Sequence, residues 1–239
     1  MIQDFVSSGL LEKAAHKYRV IVFDRPGFGF SNRPRLTIWT PEAQADLIHK
    51  ALAQIEISRA IVLGHSWGAS VAIALALRDP TLVTRLILAS GYYYPTVRTD
   101  VLFSWQAMPV IGDILSQTLS PILARLTWPA LMKKIFEPSV IPRKFAGFPK
   151  EMALRPSQLR ASAAESALMV PAAFALHKNY AALTMPVAII AGEDDKLVDT
   201  DKQSARLHDD VPQSTLRRVP GVGHMVHQSA TDAVMAAIN

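Results

Sequence analysis

Ser66 lies two residues from a glycine on either side, in Gly64-His65-Ser66-Trp67-Gly68. The apolar run Ala60-Ile61-Val62-Leu63 precedes it, and the small, helix-favouring run Ala69 to Leu77 follows. A serine so flanked, between a strand and a helix, marks a turn tight enough to strain its own backbone. Bulky side chains at the flanking positions would clash. The strain aims the hydroxyl out of the sheet and sets the next backbone N–H, that of Trp67, where an oxyanion can form. The chemistry this suits is attack on a carbonyl carbon. Serine is a weak nucleophile at its free pKa, so a base must lie within hydrogen-bond reach, and an acid must orient that base.

Two later loops supply candidates. Gly192-Glu193-Asp194-Asp195-Lys196-Leu197-Val198 follows an apolar run ending at Ala191, and Pro220-Gly221-Val222-Gly223-His224-Met225-Val226-His227 follows an expected strand ending at Val219. Both loops sit at strand ends on the same sheet edge as Ser66, so remote side chains can converge there. The carboxylates Glu193, Asp194 and Asp195 and the histidines His224 and His227 compete for the two roles. His65 reads as a structural histidine packed beside the turn.

The elements that must position these groups alternate between apolar runs and helical patterns, which implies a parallel sheet covered by helices on both faces. Strands are expected at Arg19–Phe23, Ala60–Leu63, Leu86–Ala89, Pro186–Ala191 and Thr215–Val219, with helices at about 8–16, from Thr40, from the serine turn to about Arg78, and over about 226–238. Thr40-Pro41-Glu42 opens its helix with a capping residue, a proline suited to the first helical position, and an acid at the positive end. From Tyr92 to about Leu183 the pattern holds no strand, only helical segments broken by Pro109, Pro121, Pro129, Pro138, Pro142, Pro149, Pro156 and Pro171. Residues 1–91 and 184–239 therefore read as one core, and residues 92–183 as a helical cap over the carboxyl ends of the strands. Phe103, Trp105, Met108, Trp128, Phe136, Phe145 and Phe148 in that cap read mainly as packing residues.

Composition narrows the classes. Half of the 239 residues are hydrophobic, enough for one large core, and the net charge of +5 comes from scattered pairs such as Lys133-Lys134 and Arg217-Arg218. No aromatic-basic stripe points to nucleic acid. The absence of cysteine excludes disulfides and thiol catalysis. No apolar run approaches the length of a membrane span, and no metal-ligand spacing or phosphate-cradling loop competes with the serine chemistry. No cofactor is expected. The oligomeric state is not readable, and a cytoplasmic location is the default.

Taken together, the chain resembles the α/β-hydrolase family over essentially its whole length. Asp24-Arg25-Pro26-Gly27-Phe28-Gly29-Phe30-Ser31 is similar to the family's D-x-x-G-x-G-x-S turn, Gly64–Gly68 to its nucleophile elbow, Gly192-x-x-Asp195 to its acid loop and Gly223-His224 to its histidine loop, in the family's chain order. The resemblance implies Ser66 as nucleophile, His224 as base, Asp195 as acid and the Trp67 N–H as oxyanion donor, with Asp24 serving turn geometry. A serine at the elbow implies acyl-enzyme chemistry on a small or medium apolar ester or related acyl compound. A C–C bond hydrolase, a cofactor-free haloperoxidase or perhydrolase, and a non-catalytic binding protein or inactive remnant are the alternatives on the same fold.

The resemblance also implies a departure. The family carries about three strands before the one expected at Arg19–Phe23, and a loop after the third supplies a second oxyanion N–H. The strand that would lie between Arg19–Phe23 and Ala60–Leu63 has no counterpart here. Each buried backbone group left unsatisfied costs ~1–3 kcal/mol, so either an open slot results or the two strands close together. The expectation is that Met1 is an internal methionine, and that the 239-residue form alone is poorly soluble or weakly active.

Overall fold

The computed structural model describes residues 1–96 and 119–239. Two short helices, α1 (Ile2–Ser8) and α2 (Leu10–Ala15), meet at Gly9, whose φ of 74° gives the left-handed turn between them. Next come α3 (Pro41–Gln54), β1 (Ala60–His65), α4 (Trp67–Arg78) and β2 (Val83–Ala89). The helical region holds α5 (Leu119–Phe136), α6 (Lys150–Ala153) and α7 (Pro156–Leu176). The chain closes with β3 (Val187–Gly192), α8 (Arg206–Asp210), β4 (Ser214–Val219), α9 (Val226–Ser229) and α10 (Thr231–Ile238). The Thr40 hydroxyl accepts from the Ala43 N–H at 3.2 Å, with Pro41 opening α3.

Among the described residues, four strands form a parallel sheet in the order β1-β2-β3-β4. Its central strands are buried on both faces, which is why they read as continuous apolar runs. Leu86, Leu88 and Ile189 point into a core with Leu52 and Ile73 of α3 and α4. Their neighbours Ile87, Ala89 and Ile190 face a second core with Leu10, Val226 and Val234. In α4, Ala69, Ile73 and Ala76 are fully buried, and this helix packs between α3 and α7.

Three expectations are corrected. Arg19–Phe23 is not a strand: among the described residues it makes no backbone hydrogen bond and joins no ladder. Nor does it close against β1. A cavity of about 900 Å³ separates them, lined by Val20, Val22, Ile61 and Leu63 among others. Prolines 129 and 171 do not break helices but ride inside α5 and α7, each removing one backbone donor from a turn. The final helix is in two pieces, interrupted at Ala230, whose φ of −132° is non-helical.

Among the described residues no strand lies between 119 and 183. Phe136, Phe145 and Met132 pack with Trp128, Phe148 and Met225 into a small separate core, away from the cavity. Phe103, Trp105 and Met108 lie outside the described residues. The helical stretch Pro156–Ala182 is long and apolar enough, by length and composition, to cross a membrane, which the sequence pattern did not suggest. Here it packs on α4 and carries the buried Glu165.

Candidate active site

Ser66 occupies the junction between β1 and α4 with φ 54° and ψ −123°, a conformation that L residues rarely adopt. Its N–H donates to the Ala89 carbonyl of β2 at 3.0 Å, which ties the strained residue to the sheet. A Cβ on Gly64 would lie 2.2 Å from the Gly68 carbonyl oxygen, so only glycine fits there. At Gly68 a Cβ would meet open space, so the expected clash exists on one side of the serine only. The Trp67 N–H is the first of α4 and lacks an intrahelical acceptor, leaving a donor beside the serine.

The two carboxyl-edge loops cross backbone to backbone. A Cβ on Gly192 would strike the Gly223 oxygen at 2.2 Å, and one on Gly223 would strike the Glu137 oxygen at 2.1 Å. This close crossing brings Asp195 and His224 together. His224 Nδ1 lies 2.7 Å from Asp195 Oδ2, and His224 Nε2 lies 3.0 Å from Ser66 Oγ. The other Asp195 oxygen accepts from the Leu197 and Val198 N–H groups at 2.8 and 3.0 Å. Both side chains are buried, so solvent cannot rotate the carboxylate away from the ring. The arrangement can pass a proton from the serine hydroxyl to a ring held in one orientation.

Glu193 is exposed, and the other competing residues are engaged elsewhere. Asp194 accepts from the Gly221 N–H at 3.0 Å and so braces the histidine loop. Asp24 accepts from the Phe30 N–H and, across 22 residues, from the Ile2 N–H of α1, and its carbonyl takes the Ser31 hydroxyl at 2.7 Å, so it braces the turn and holds it to α1. His65 Nε2 donates to the His224 carbonyl at 3.0 Å. Burial first, then the nearby His227 and His224, push the His65 pKa well below the ordinary histidine range, so it is neutral. His227, fully buried on α9, points away from the serine to Asp4 Oδ2 at 2.9 Å.

Two side-chain sets escaped sequence reasoning. The first is Asp4, which receives His227 and the Gln228 amide and so fastens α1 to the histidine loop. Burial pushes the Asp4 carboxyl upward, but His227, the chain's amino group and His65 outweigh it and hold it well below the usual carboxylate range. Asp4, His65 and His227 each bring a ligand-type atom within 4.8 Å of the others, a geometry that could hold an ion; the Nε2 atoms of both histidines are hydrogen-bonded, whereas His227 Nδ1 is buried without a partner. The second set joins the turn after Phe23 to α7. Arg25 pairs with Glu165 at 2.5 Å, and the Gln44 amide donates to the same carboxylate oxygen at 3.1 Å. The signal for it was a lone acid on an otherwise apolar helix face, since buried carboxylates require partners.

The chain belongs to the alpha/beta hydrolase fold family, whose profile matches residues 4–230. It is 27% identical over 237 residues to the 2-(acetamidomethylene)succinate hydrolase of Mesorhizobium japonicum, spanning 96% of this chain and 80% of that one. It is 25% identical over 221 residues to the uncharacterized hydrolase YugF of Bacillus subtilis, spanning 91% and 78%. Among solved structures, a thermophilic esterase from Thermogutta terrifontis superimposes with a TM-score of 0.69 at 20% identity, over 99% of this chain and 83% of that one. Fold and membership in a hydrolase family follow from these matches.

Proposed function

We propose that this protein is a serine hydrolase that cleaves small or medium carboxylic esters with an apolar acyl or alcohol group, through an acyl-enzyme. The observation that carries the reading is the unbroken sequence of contacts from Ser66 Oγ to His224 Nε2 and from His224 Nδ1 to Asp195, at 3.0 and 2.7 Å. His224 takes the Ser66 proton as the hydroxyl attacks the carbonyl carbon, and Asp195 stabilises the imidazolium that results. The Trp67 N–H donates to the oxyanion of the tetrahedral intermediate. His224 then protonates the departing alkoxide, and a water molecule, deprotonated by the same ring, releases the acid.

Residues 92–183 act in this reading as a cap. Its support is α7, which places Ser162, Ser166 and Met169 on the cavity that reaches Ser66, opposite Phe28, Trp67 and Val71. The apolar members of that wall favour an apolar acyl or alcohol chain. Hydrolases of an ester and of an acetamido compound among the similar proteins are consistent with acyl transfer at such a serine. A series of p-nitrophenyl esters of increasing acyl length tests the proposal. Turnover that rises from acetate to a medium chain and vanishes in Ser66→Ala is expected. Turnover equal in Ser66→Ala, or none with any ester, would overturn it.

A further inference from the structure

The net charge of the chain is concentrated in one stretch of the helical region. Residues 119–150 contain six of the 25 Lys and Arg residues, at Arg125, Lys133, Lys134, Arg143, Lys144 and Lys150, but only one of the 20 Asp and Glu residues, Glu137. This stretch therefore carries +5, the net charge of the whole chain, and the rest of the sequence balances to zero. Two of the six cations are engaged locally. Arg125 pairs with Glu151, and Lys144 donates to the Ser8 carbonyl and the Thr231 hydroxyl. Lys133, Lys134 and Arg143 are exposed and join no ion pair among the described residues.

The same stretch exposes large aliphatic side chains. Ile122, Leu126 and Val140 are 56%, 73% and 89% exposed, and Leu123, Leu131 and Ile141 are exposed as well. Helical spacing puts Ile122, Leu126 and Lys133 on one line of α5, and Leu123, Ala130 and Lys134 on the adjacent line. The solvent face of α5 is thus apolar along most of its length and cationic in its last turn. Its other face packs Trp128, Met132 and Phe136 into a core with Phe145, Phe148 and Met225. The helix is apolar on both sides, and the fold buries only one of them. Nucleic acid would neutralise the three cations but leave the aliphatic side chains in water. A purely apolar protein groove would cover the aliphatic side chains and strand the cations without partners. A bilayer with anionic headgroups satisfies both, because its acyl boundary takes the aliphatic side chains while lysine stems reach the phosphate plane.

We propose that α5 and the residues after it, through Arg143, form a docking surface for an anionic lipid bilayer, with α5 lying in the plane of the headgroups. Ile122, Leu123, Leu126 and Leu131 enter the acyl boundary, and Lys133, Lys134 and Arg143 pair with lipid phosphates. The docked face is joined to the hydrolytic site through one small core, in which Phe136 lies with Met225, the residue after His224. The proposal is independent of the hydrolytic reading, because it concerns binding to a surface and not the chemistry of Ser66.

Co-sedimentation with vesicles tests it, using phosphatidylcholine alone and phosphatidylcholine with about one-third phosphatidylglycerol, at about 0.1 M salt. The 239-residue protein is expected to bind the anionic vesicles about tenfold or more tightly than the neutral ones. Lys133→Glu with Lys134→Glu and Arg143→Glu should abolish that binding, and Ile122→Ser with Leu126→Ser should weaken it about tenfold. All five positions are exposed, and circular dichroism checks that each variant is folded. A second measurement leaves the charges intact. The chain has no cysteine, so Leu126→Cys takes a single environment-sensitive fluorophore, as does Gln54→Cys at the end of α3, next to the amino end of β1. The Leu126→Cys label is expected to shift to the blue on anionic vesicles and the Gln54→Cys label to stay unchanged. No sedimentation, equal affinity for both vesicles, a folded variant of either kind that binds as the parent does, or equal shifts at the two labels would overturn the proposal. Tighter binding to double-stranded DNA or polyglutamate than to anionic vesicles would replace lipid as the occupant. A dimer dispersed by Ile122→Ser with Leu126→Ser would give the face to a second copy of the chain, and either result overturns it.

Discussion

His224 has a defined partner on each ring nitrogen, and the value of each can be measured by removing it. Ser66→Ala and His224→Ala are expected to lower ester kcat by at least ~10⁴-fold, and Asp195→Asn by a comparable ~10⁴-fold, with KM little changed because ground-state binding is untouched. Steady-state kinetics on one p-nitrophenyl ester check all three, and a Ser66→Ala protein with residual turnover above a tenth of the parent would exclude the roles assigned here. Asp4 makes a separate, pH-dependent contribution. Its folded pKa lies below the ordinary 3.8, so its ionised form stabilises the fold above that value, and the contribution fades as pH falls below it. Asp4→Asn is therefore expected to lose ~1–3 kcal/mol at pH 6, with the difference from the parent shrinking below pH ~4. Urea unfolding at pH 6, 4 and 3 measures this, and a gap that widens in acid would contradict it.

At the scale of elements, the turn between β1 and α4 makes opposite demands on its two glycines. Gly64→Ala drives a methyl group into the Gly68 carbonyl and is expected to destabilise the fold by ~3 kcal/mol or more. Gly68→Ala meets open space inside a helix and is expected to stabilise it by ~0.5–1 kcal/mol, as alanine does over glycine in helices. Chemical denaturation of both variants decides the matter, and equal losses would refute the asymmetry. The sequence pattern treated the two glycines alike, because spacing records that a residue is small without saying which neighbour requires it. The same limit explains Arg19–Phe23. Its apolar residues and period are those of a strand, but a strand exists through the hydrogen bonds of its neighbours, and here the neighbouring space is a cavity. β1 to β3 were legible as apolar runs bounded by loop residues, and β4, with only Leu216 and Val219 apolar, as a short segment running into the Pro220-Gly221 turn; each has a partner within the chain.

Across the whole molecule, contacts between distant segments hold the site together, and these were the least legible. Ser66, Asp195 and His224 could be read because each sits in a recognisable loop after a strand. The Asp4–His227 pair spans 223 residues and the Arg25–Glu165 pair 140, and no local pattern marks either. Arg25–Glu165 ties α7 to the core, with the Glu165 side chain only 6% exposed. Glu165→Ala leaves a half-buried guanidinium and the buried Gln44 amide without their acceptor and is expected to cost ~3 kcal/mol, whereas Arg25→Met with Glu165→Met recovers most of that loss. A double-mutant cycle by thermal unfolding checks it, and a double variant no more stable than Glu165→Ala would show that the pair is not the coupling. The central claim is that His224 activates Ser66 in this fold. Reaction of the 239-residue protein with a fluorophosphonate, followed by mass spectrometry of its peptides, tests it most directly. The expected result is a single adduct on Ser66 that disappears in His224→Ala, while no adduct, or one that forms equally fast without His224, would contradict it.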